Sequence, residues 1–312
     1  MCAAASRVSI ARCDPAADKE VLSLAILAWP DAERAAYQQT IDGLIKSGQS
    51  KQIVLLEARE ENQLIAAQLA QSLPGRAAVV WQPQFVAAKT ARGEVTAQIF
   101  DRLATELSQA GANLAQALVS ITDKEAAERF SAGGFSHAAD LLYLAANLDE
   151  ARDTSPSLPF EIDSFQVGEE KRLAALIDRT YIGTLDCPQL DGLRKTADVI
   201  VGYQAVGEFR PELWLIARDR AQTIGCLLMN LHPDVRHAEI VYVALIPEVR
   251  GRGWGQELIN RSIEVARRAG AERIVLAVDA ANEPAIRIYR RLGFFEFDRR
   301  AVWVRPLTEN PK

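Results

Sequence analysis

Val249-Arg250-Gly251-Arg252-Gly253-Trp254-Gly255-Gln256 follows an apolar run, Glu239 to Ile246, and leads into an amphipathic stretch that stops at Gly270. Glycine permits a tight turn and a close backbone approach to a ligand. The helix that follows directs unpaired N–H groups and its positive dipole end to the same place. With arginines flanking Gly251, the stretch reads as a cradle for a phosphate-bearing ligand. A dinucleotide fingerprint would need glycine where Gln256 stands, and a P-loop would need Gly-Lys-Ser/Thr after four intervening residues; neither is present. A plain turn needs neither three alternating glycines nor two arginines.

On one side of the cradle, strict alternation puts Glu239, Val241, Val243 and Leu245 on one face of a strand and Ile240, Tyr242, Ala244 and Ile246 on the other. Two apolar faces predict a central strand. On the other side, Leu258, Ile259, Ile263, Ala266 and Ala269 form one helix face. A second buried strand, Arg273 to Val278, a polar turn from Asp279 to Asn282, and a helix from Glu283 to Leu292 that carries Tyr289 complete the pattern.

The same plan occurs earlier in the chain. Gly111 matches Gly270, and Gly134-Phe135 matches Gly293-Phe294, both at an offset of 159 (270 − 111 and 293 − 134). Each half opens with a short strand, two helical stretches and a hairpin pattern, which predicts a mixed α/β (α+β) domain in tandem. The polar, proline-bearing segment 151–159 reads as the connector, which divides the chain into domains 1–150 and 160–312. At the cradle's offset the first half has Ala91-Arg92-Gly93-Glu94-Val95-Thr96, so a carboxylate replaces Gly253 (253 − 94 = 159) and disfavours an anion. The first half is read as a degenerate copy without cofactor.

Composition narrows the partners. A net charge of −5, with no basic tract, gives no reason to expect nucleic acid or an acidic membrane. Cys2, Cys13, Cys187 and Cys226 lack CxxC spacing and the three histidines form no HExxH, so no metal site is expected. No apolar run has signal-peptide or membrane-spanning character, and the expected compartment is the cytoplasm.

The order strand, Arg250-Gly251-Arg252-Gly253-Trp254-Gly255, helix, strand, Asn282, helix with Tyr289, then Leu292-Gly293-Phe294 resembles the GCN5-related N-acetyltransferases (GNAT) closely from Glu239 to Phe294. The resemblance implies two acyl-CoA N-acyltransferase-like domains, each a mixed, mostly antiparallel sheet flanked by helices. It implies acetyl-CoA as cofactor, held by Arg250 to Gln256, with backbone groups near Val243 and Leu245 meeting the pantetheine arm and Asn282 contacting it. Asn282 also suits a helix N-cap.

Acetyl transfer to an amine needs a base, an oxyanion stabiliser and a proton for the departing thiolate. Glu239 stands eleven residues before Arg250 (250 − 239), the spacing of a general base in one branch of the family, and desolvation would suit it to that role. The structural alternative is a strand-end carboxylate paired with Arg236 or His237. Tyr289 is placed as the proton donor, and the first half has Phe130 at its position (289 − 130 = 159), which keeps the volume without the hydroxyl. The acceptor is expected between Gly168 and Gly207, with Tyr181 in its wall and Asp186 to attract an ammonium group; a plain interhelical loop is the alternative. Tyr203 and Trp214 read as core or rim aromatics. Cys187 has no nearby histidine in sequence to activate it as a nucleophile.

The resulting expectation is an N-acetyltransferase acting on a small-molecule primary amine by direct attack in a ternary complex, as monomer or homodimer. Tandem copies with one worn site also resemble mycothiol synthase, which implies an aminothiol or amino sugar acceptor. A non-catalytic acyl-CoA-binding or sensing module is the reading from another class, although it would need the cradle and neither Glu239 nor Tyr289.

Overall fold

The computed structural model describes residues 8–86, 92–149 and 159–307. Two compact units emerge, residues 1–137 with 302–312 and residues 138–301. The segment 151–158, most of the expected connector, lies outside the described residues, as does Ala91.

In the first half, β1 (Val8–Cys13), α1 (Lys19–Ala25), α2 (Asp31–Lys46), β2 (Ile53–Glu60) and β3 (Gln63–Leu73) precede β4 (Ala77–Val80) and β5 (Gln84–Phe85). Then come α3 (Arg92–Gln109), β6 (Leu114–Ser120), α4 (Lys124–Ala132) and β7 (Ser136–Asn147). The second half contains β8 (Glu161–Ser164), α5 (Glu170–Tyr181), α6 (Thr196–Gln204), β9 (Trp214–Asp219), β10 (Gln222–His232) and β11 (His237–Leu245). It ends with α7 (Trp254–Arg268), β12 (Arg273–Asp279), α8 (Glu283–Arg291) and β13 (Phe295–Pro306).

The duplication is now explicit in coordinates. β3, β6, α4 and β7 map onto β10, β12, α8 and β13 at the offset of 159 at both ends (222 − 63, 273 − 114, 283 − 124 and 295 − 136). The cradle position breaks the match. In the first half the helix already includes Arg92, Gly93 and Glu94, whereas the second keeps Gly251 to Gly253 outside its helix.

The compact units do not follow the sequence halves, because each half ends in a long strand after its Gly-Phe that the sequence pattern did not reveal. A strand edge left bare presents a row of unpaired N–H and C=O groups. Residues 138–147 of β7 cover the outer edge of β12 in the second unit, antiparallel with Asn147 opposite Arg273 and Leu141 opposite Asp279. The end of β13 belongs to the first unit, where Leu307 N donates to Asn113 O and Arg305 Nη1 donates to Gly133 O.

Within the second unit β8, β9, β10 and β11 pair antiparallel in succession, and β11 pairs parallel with β12. Its core includes Ile240, Leu245, Leu258, Ile259, Ile263, Leu276 and Tyr289. One buried polar side chain fixes the α6 end. Asn230 accepts a hydrogen bond from Trp214 Nε1 at 2.9 Å and donates Nδ2 to Tyr203 O at 2.6 Å and Val206 O at 2.7 Å. Asn230→Leu is expected to cost about 3 kcal/mol in urea denaturation, since it leaves the buried Trp214 indole N–H without its acceptor and removes a donor from the Tyr203 and Val206 carbonyls.

Candidate active site

Two irregularities in β11 make the site. Its parallel pairing with β12 runs only from His237 opposite Arg273 to Ile240 opposite Leu276, so among the described residues no strand pairs with it on that side beyond Ile240. Its register with β10 also slips: Ile240 faces Met229 while Tyr242 faces Leu228, which leaves Val241 as the extra residue of a bulge. A bulge turns the strand and re-aims the side chains after it. The strict alternation expected from sequence is therefore corrected. Glu239, opposite Asn230, and Tyr242, opposite Leu228, fall on the same face, the one turned to α5 and α6. Leu245 falls with Ile240 on the other, where its Cδ1 would lie 4.0 Å from a Cβ added at Gly255.

The cradle keeps its expected geometry. Gly251 (φ 77°) and Gly253 (φ 81°) are left-handed, and a Cβ added to either would meet no protein atom within 4 Å. Among the described residues, the N–H groups of Gly251, Arg252, Gly253, Trp254 and Gly255 meet no acceptor. Five such donors beside a helix N-terminus form an anion-binding concavity. Gln256 N–H is not among them, because it donates to Gly253 O as α7 begins. A Cβ added at Gly255 would make only ordinary van der Waals contact, 3.5 Å from Ile288 Cδ1.

The cradle's side chains depart from expectation. Arg250 donates Nε to Leu245 O (3.0 Å), Nη1 to Ile182 O (2.9 Å) and Gly183 O (3.0 Å), and Nη2 to Thr180 O (2.6 Å). This guanidinium caps the C-terminus of α5, where carbonyls lack intrahelical partners and a cation is favoured. In this structure the guanidinium's donors are spent on backbone carbonyls, among them that of Leu245. Arg252 donates to Glu248 O at 3.0 Å and lies 5.2 Å from the Trp254 ring centroid, and Trp254 packs on Phe160 at 5.6 Å. Arg250→Lys, which keeps the charge without the fork, is expected to lose about 2 kcal/mol in urea denaturation. Acetyl-CoA affinity should change less than about threefold, a factor worth under 1 kcal/mol.

Asp186 is engaged by a backbone N–H in this structure. Its Oδ1 accepts from Asp279 N at 2.9 Å, while Asp279 Oδ2 accepts from Cys187 N at 3.0 Å, so two carboxylates latch the α5–α6 loop to the β12–α8 corner reciprocally. Asp186 is exposed as a residue, yet protein crowding its carboxyl pushes its pKa up, against the lowering effect of the Asp279 N–H. Asn282 caps α8, accepting from Ala285 N at 3.4 Å. Burial pushes the Cys187 thiol pKa up, with Asp186 and Asp279 adding to it, which keeps the thiol protonated.

Tyr289 is buried in the core beside Phe294, ring centroids 5.5 Å apart. Burial raises its pKa, with the nearby charge of Asp186 adding to the effect. Tyr181 belongs to a cluster that sequence reasoning only partly found. Its ring meets Tyr242 edge-on at 6.1 Å, Tyr203 stacks on Tyr242 at 5.7 Å, and the Tyr242 hydroxyl lies 2.6 Å from Thr180 Oγ1. Burial pushes Tyr181 up to about 12. Tyr242 was legible as a lone tyrosine in an apolar strand, but only the bulge aims it at Tyr181.

Glu239 pairs with neither Arg236 nor His237. Its Oε2 lies 2.7 Å from His232 Nε2, while Arg236 forms an ion pair with Glu272. That bond raises the His232 pKa, against a smaller lowering by burial.

This splayed strand, bulge and amide-lined loop can be set beside known proteins. Residues 150–294 match the model of the acetyltransferase (GNAT) family. The chain is 27% identical over 185 residues to a mycothiol acetyltransferase of Saccharomonospora viridis, covering 54% of this chain and 56% of that protein. Its fold resembles a GCN5-related N-acetyltransferase from Sphaerobacter thermophilus (TM-score 0.62, 18% identity, 97% of this chain and 96% of that one). It also resembles a tandem GNAT protein from the clavulanic acid biosynthesis pathway (TM-score 0.52, 13% identity, 97% and 99%). The family match falls on residues 150–294, in the second half of the chain, and the fold of the chain resembles that of solved GNAT proteins. The alignment spans only about half the length of the mycothiol acetyltransferase.

Proposed function

We propose that the second half of the chain transfers an acetyl, or another short acyl, group from its CoA ester to the primary amine of a small molecule by direct attack in a ternary complex. The observation that carries this reading is the set of five unpaired N–H groups from Gly251 to Gly255, next to a strand that loses its neighbour after Ile240. The amides fit a pyrophosphate, and the backbone near Val243 fits an extended amide-bearing arm laid along the open strand edge. Acetyl-CoA supplies the activated thioester carbonyl. Glu239 Oε1 takes a proton from the acceptor's ammonium, and the neutral nitrogen forms the new C–N bond. As the C–S bond breaks, Tyr289 gives its phenolic proton to the sulfur, and the second proton of the attacking nitrogen passes to the phenolate, which leaves a neutral amide and a restored phenol; the proton on Glu239 is released to solvent. Tyr181, Tyr203 and Tyr242 wall the acceptor side with aromatic surface, which suits a cationic amine before its deprotonation.

The first half is read as a worn copy that binds no CoA ester, because helix replaces the loop at Arg92 to Glu94. The mycothiol acetyltransferase similarity favours an aminothiol or amino sugar as the second reading of the acceptor. The proposed compartment is the cytoplasm, where Cys13, Cys187 and Cys226 remain thiols. No helix among the described residues is long and apolar enough to cross a membrane. The test is CoA release from acetyl-CoA across a panel of amines, amino sugars and aminothiols. Turnover with a primary amine supports the reading; binding of acetyl-CoA with no release on any amine replaces it with a sensing role.

A further inference from the structure

His232 sits at the end of β10, seven residues before Glu239 (239 − 232) and opposite His237 across the β10–β11 register. Its Nε2 lies 2.7 Å from Glu239 Oε2, and both side chains are about one-third exposed, at 31% and 35%. Glu239 Oε1 has no protein partner among the described residues. The turn above the imidazole is built around it. Gly207 has φ 60°, and a Cβ there would come within 2.5 Å of Leu231 O, 2.9 Å of His232 Cε1 and 3.0 Å of His232 Nε2. Glu208 N–H donates to Leu231 O at 2.7 Å and Leu231 N–H returns to Glu208 O at 3.1 Å, which clamps that turn over the strand end. So a position that excludes any side chain closes on the face of a histidine whose ring nitrogen is spent on Glu239.

We propose that His232 is a positioning residue for the reaction: it donates Nε2–H to Oε2 of Glu239, fixes the carboxylate, and leaves Oε1 to take the acceptor's proton. This rests on the transferase reading given above. A short contact between an imidazole nitrogen and a carboxylate oxygen requires a proton between them, so Nε2 carries it in both the neutral and the cationic ring. Only Nδ1 then changes state. While the ring is cationic, its charge draws electron density from Glu239 and weakens it as a base. As pH rises through the His232 pKa, Nδ1 loses its proton, the Nε2–H bond remains, and Glu239 faces a neutral donor. Other charged groups around the pair are few. His237 lies across the strand, Arg273 and Glu272 lie at the start of β12, and Glu208 lies on the clamped turn, where its carboxylate is paired with Arg210. The raised pKa of His232 has Glu239 as its leading cause.

Two measurements decide the matter. In the first, NMR titration follows the His232 ring in the wild type and in Glu239→Gln. The expected result is a drop of about one pH unit in the His232 midpoint when the carboxylate is removed, the usual size of a shift from a hydrogen-bonded opposite charge. An unchanged midpoint overturns the pairing, and this readout stands even if no acceptor amine is ever turned over. In the second, kcat is measured against pH for His232→Gln and His232→Leu. Gln carries an Nε2–H donor without a titrating ring, so it should keep kcat within about fivefold and lose the inflection at the His232 midpoint; Leu should lower kcat by a factor of about 30 or more with the KM for acetyl-CoA unchanged, the range for a misplaced base. Wild-type kcat in His232→Leu, or an inflection at the His232 midpoint that persists in His232→Gln, overturns the positioning role.

Discussion

Gly253→Glu, the residue the first half already carries at this position, is expected to raise the Kd for acetyl-CoA by a factor of about 100 in calorimetry, close to 3 kcal/mol. Two effects add. Gly253 has φ 81°, and a non-glycine residue in the left-handed region costs about 1–2 kcal/mol, which moves the five amides out of register. A carboxylate about 4 Å from a phosphate at an effective dielectric of 20 is repelled by roughly 4 kcal/mol, discounted to about half because Gly253 is exposed. Gly253→Ala separates the two. It carries the strain without the charge and should raise Kd only about tenfold, the equivalent of 1.4 kcal/mol. Equal affinity in wild type and Gly253→Glu would remove the amide loop from cofactor binding, since no other feature of the loop survives both changes.

What the sequence disclosed and what it hid divide along the range of the interactions involved. The glycine loop, the amphipathic α7 and the N-cap at Asn282 depend on residues a few positions apart, so spacing alone exposed them. The repeat was legible for the same reason, as a fixed offset of local signals. For Arg250 the sequence showed only a positive charge beside glycines, which suits a phosphate. The carbonyls of Thr180, Ile182 and Gly183 that its guanidinium meets lie about 70 residues away and become visible only when α5 is placed. Glu239 was aimed at the wrong face because period-two alternation assumes a regular strand, and nothing in Ile240-Val241-Tyr242 announces the bulge. The final strands β7 and β13 escaped notice for a related reason. Ser136–Asn147 mixes His137 and Asp140 into an apolar run, so it lacks clean alternation, and its partner β12 lies more than 120 residues on.

Tyr289→Phe carries the second large effect and shows why the internal copy is informative. In the first unit Phe130 holds this position, packed against Phe100 and Phe135 at 5.4 Å and 5.2 Å, much as Tyr289 packs on Phe294. A phenylalanine ring therefore fits the place, and the substitution should shift Tm by less than about 2 °C, a ΔΔG below 1 kcal/mol for a domain of this size. Any loss of rate then belongs to the hydroxyl. General-acid assistance contributes about 10²- to 10⁴-fold, so kcat is expected to fall by about 100-fold or more while the Kd for acetyl-CoA stays put. The pH dependence gives a further handle. Burial raises the Tyr289 pKa above its ordinary value, so the phenol keeps its proton across the neutral range and is lost as an acid only at a pH above about 10. A wild-type basic limb near pH 8 would therefore have to come from another group. An unchanged kcat in Tyr289→Phe would take the phenol out of the mechanism and leave water to protonate the departing thiolate.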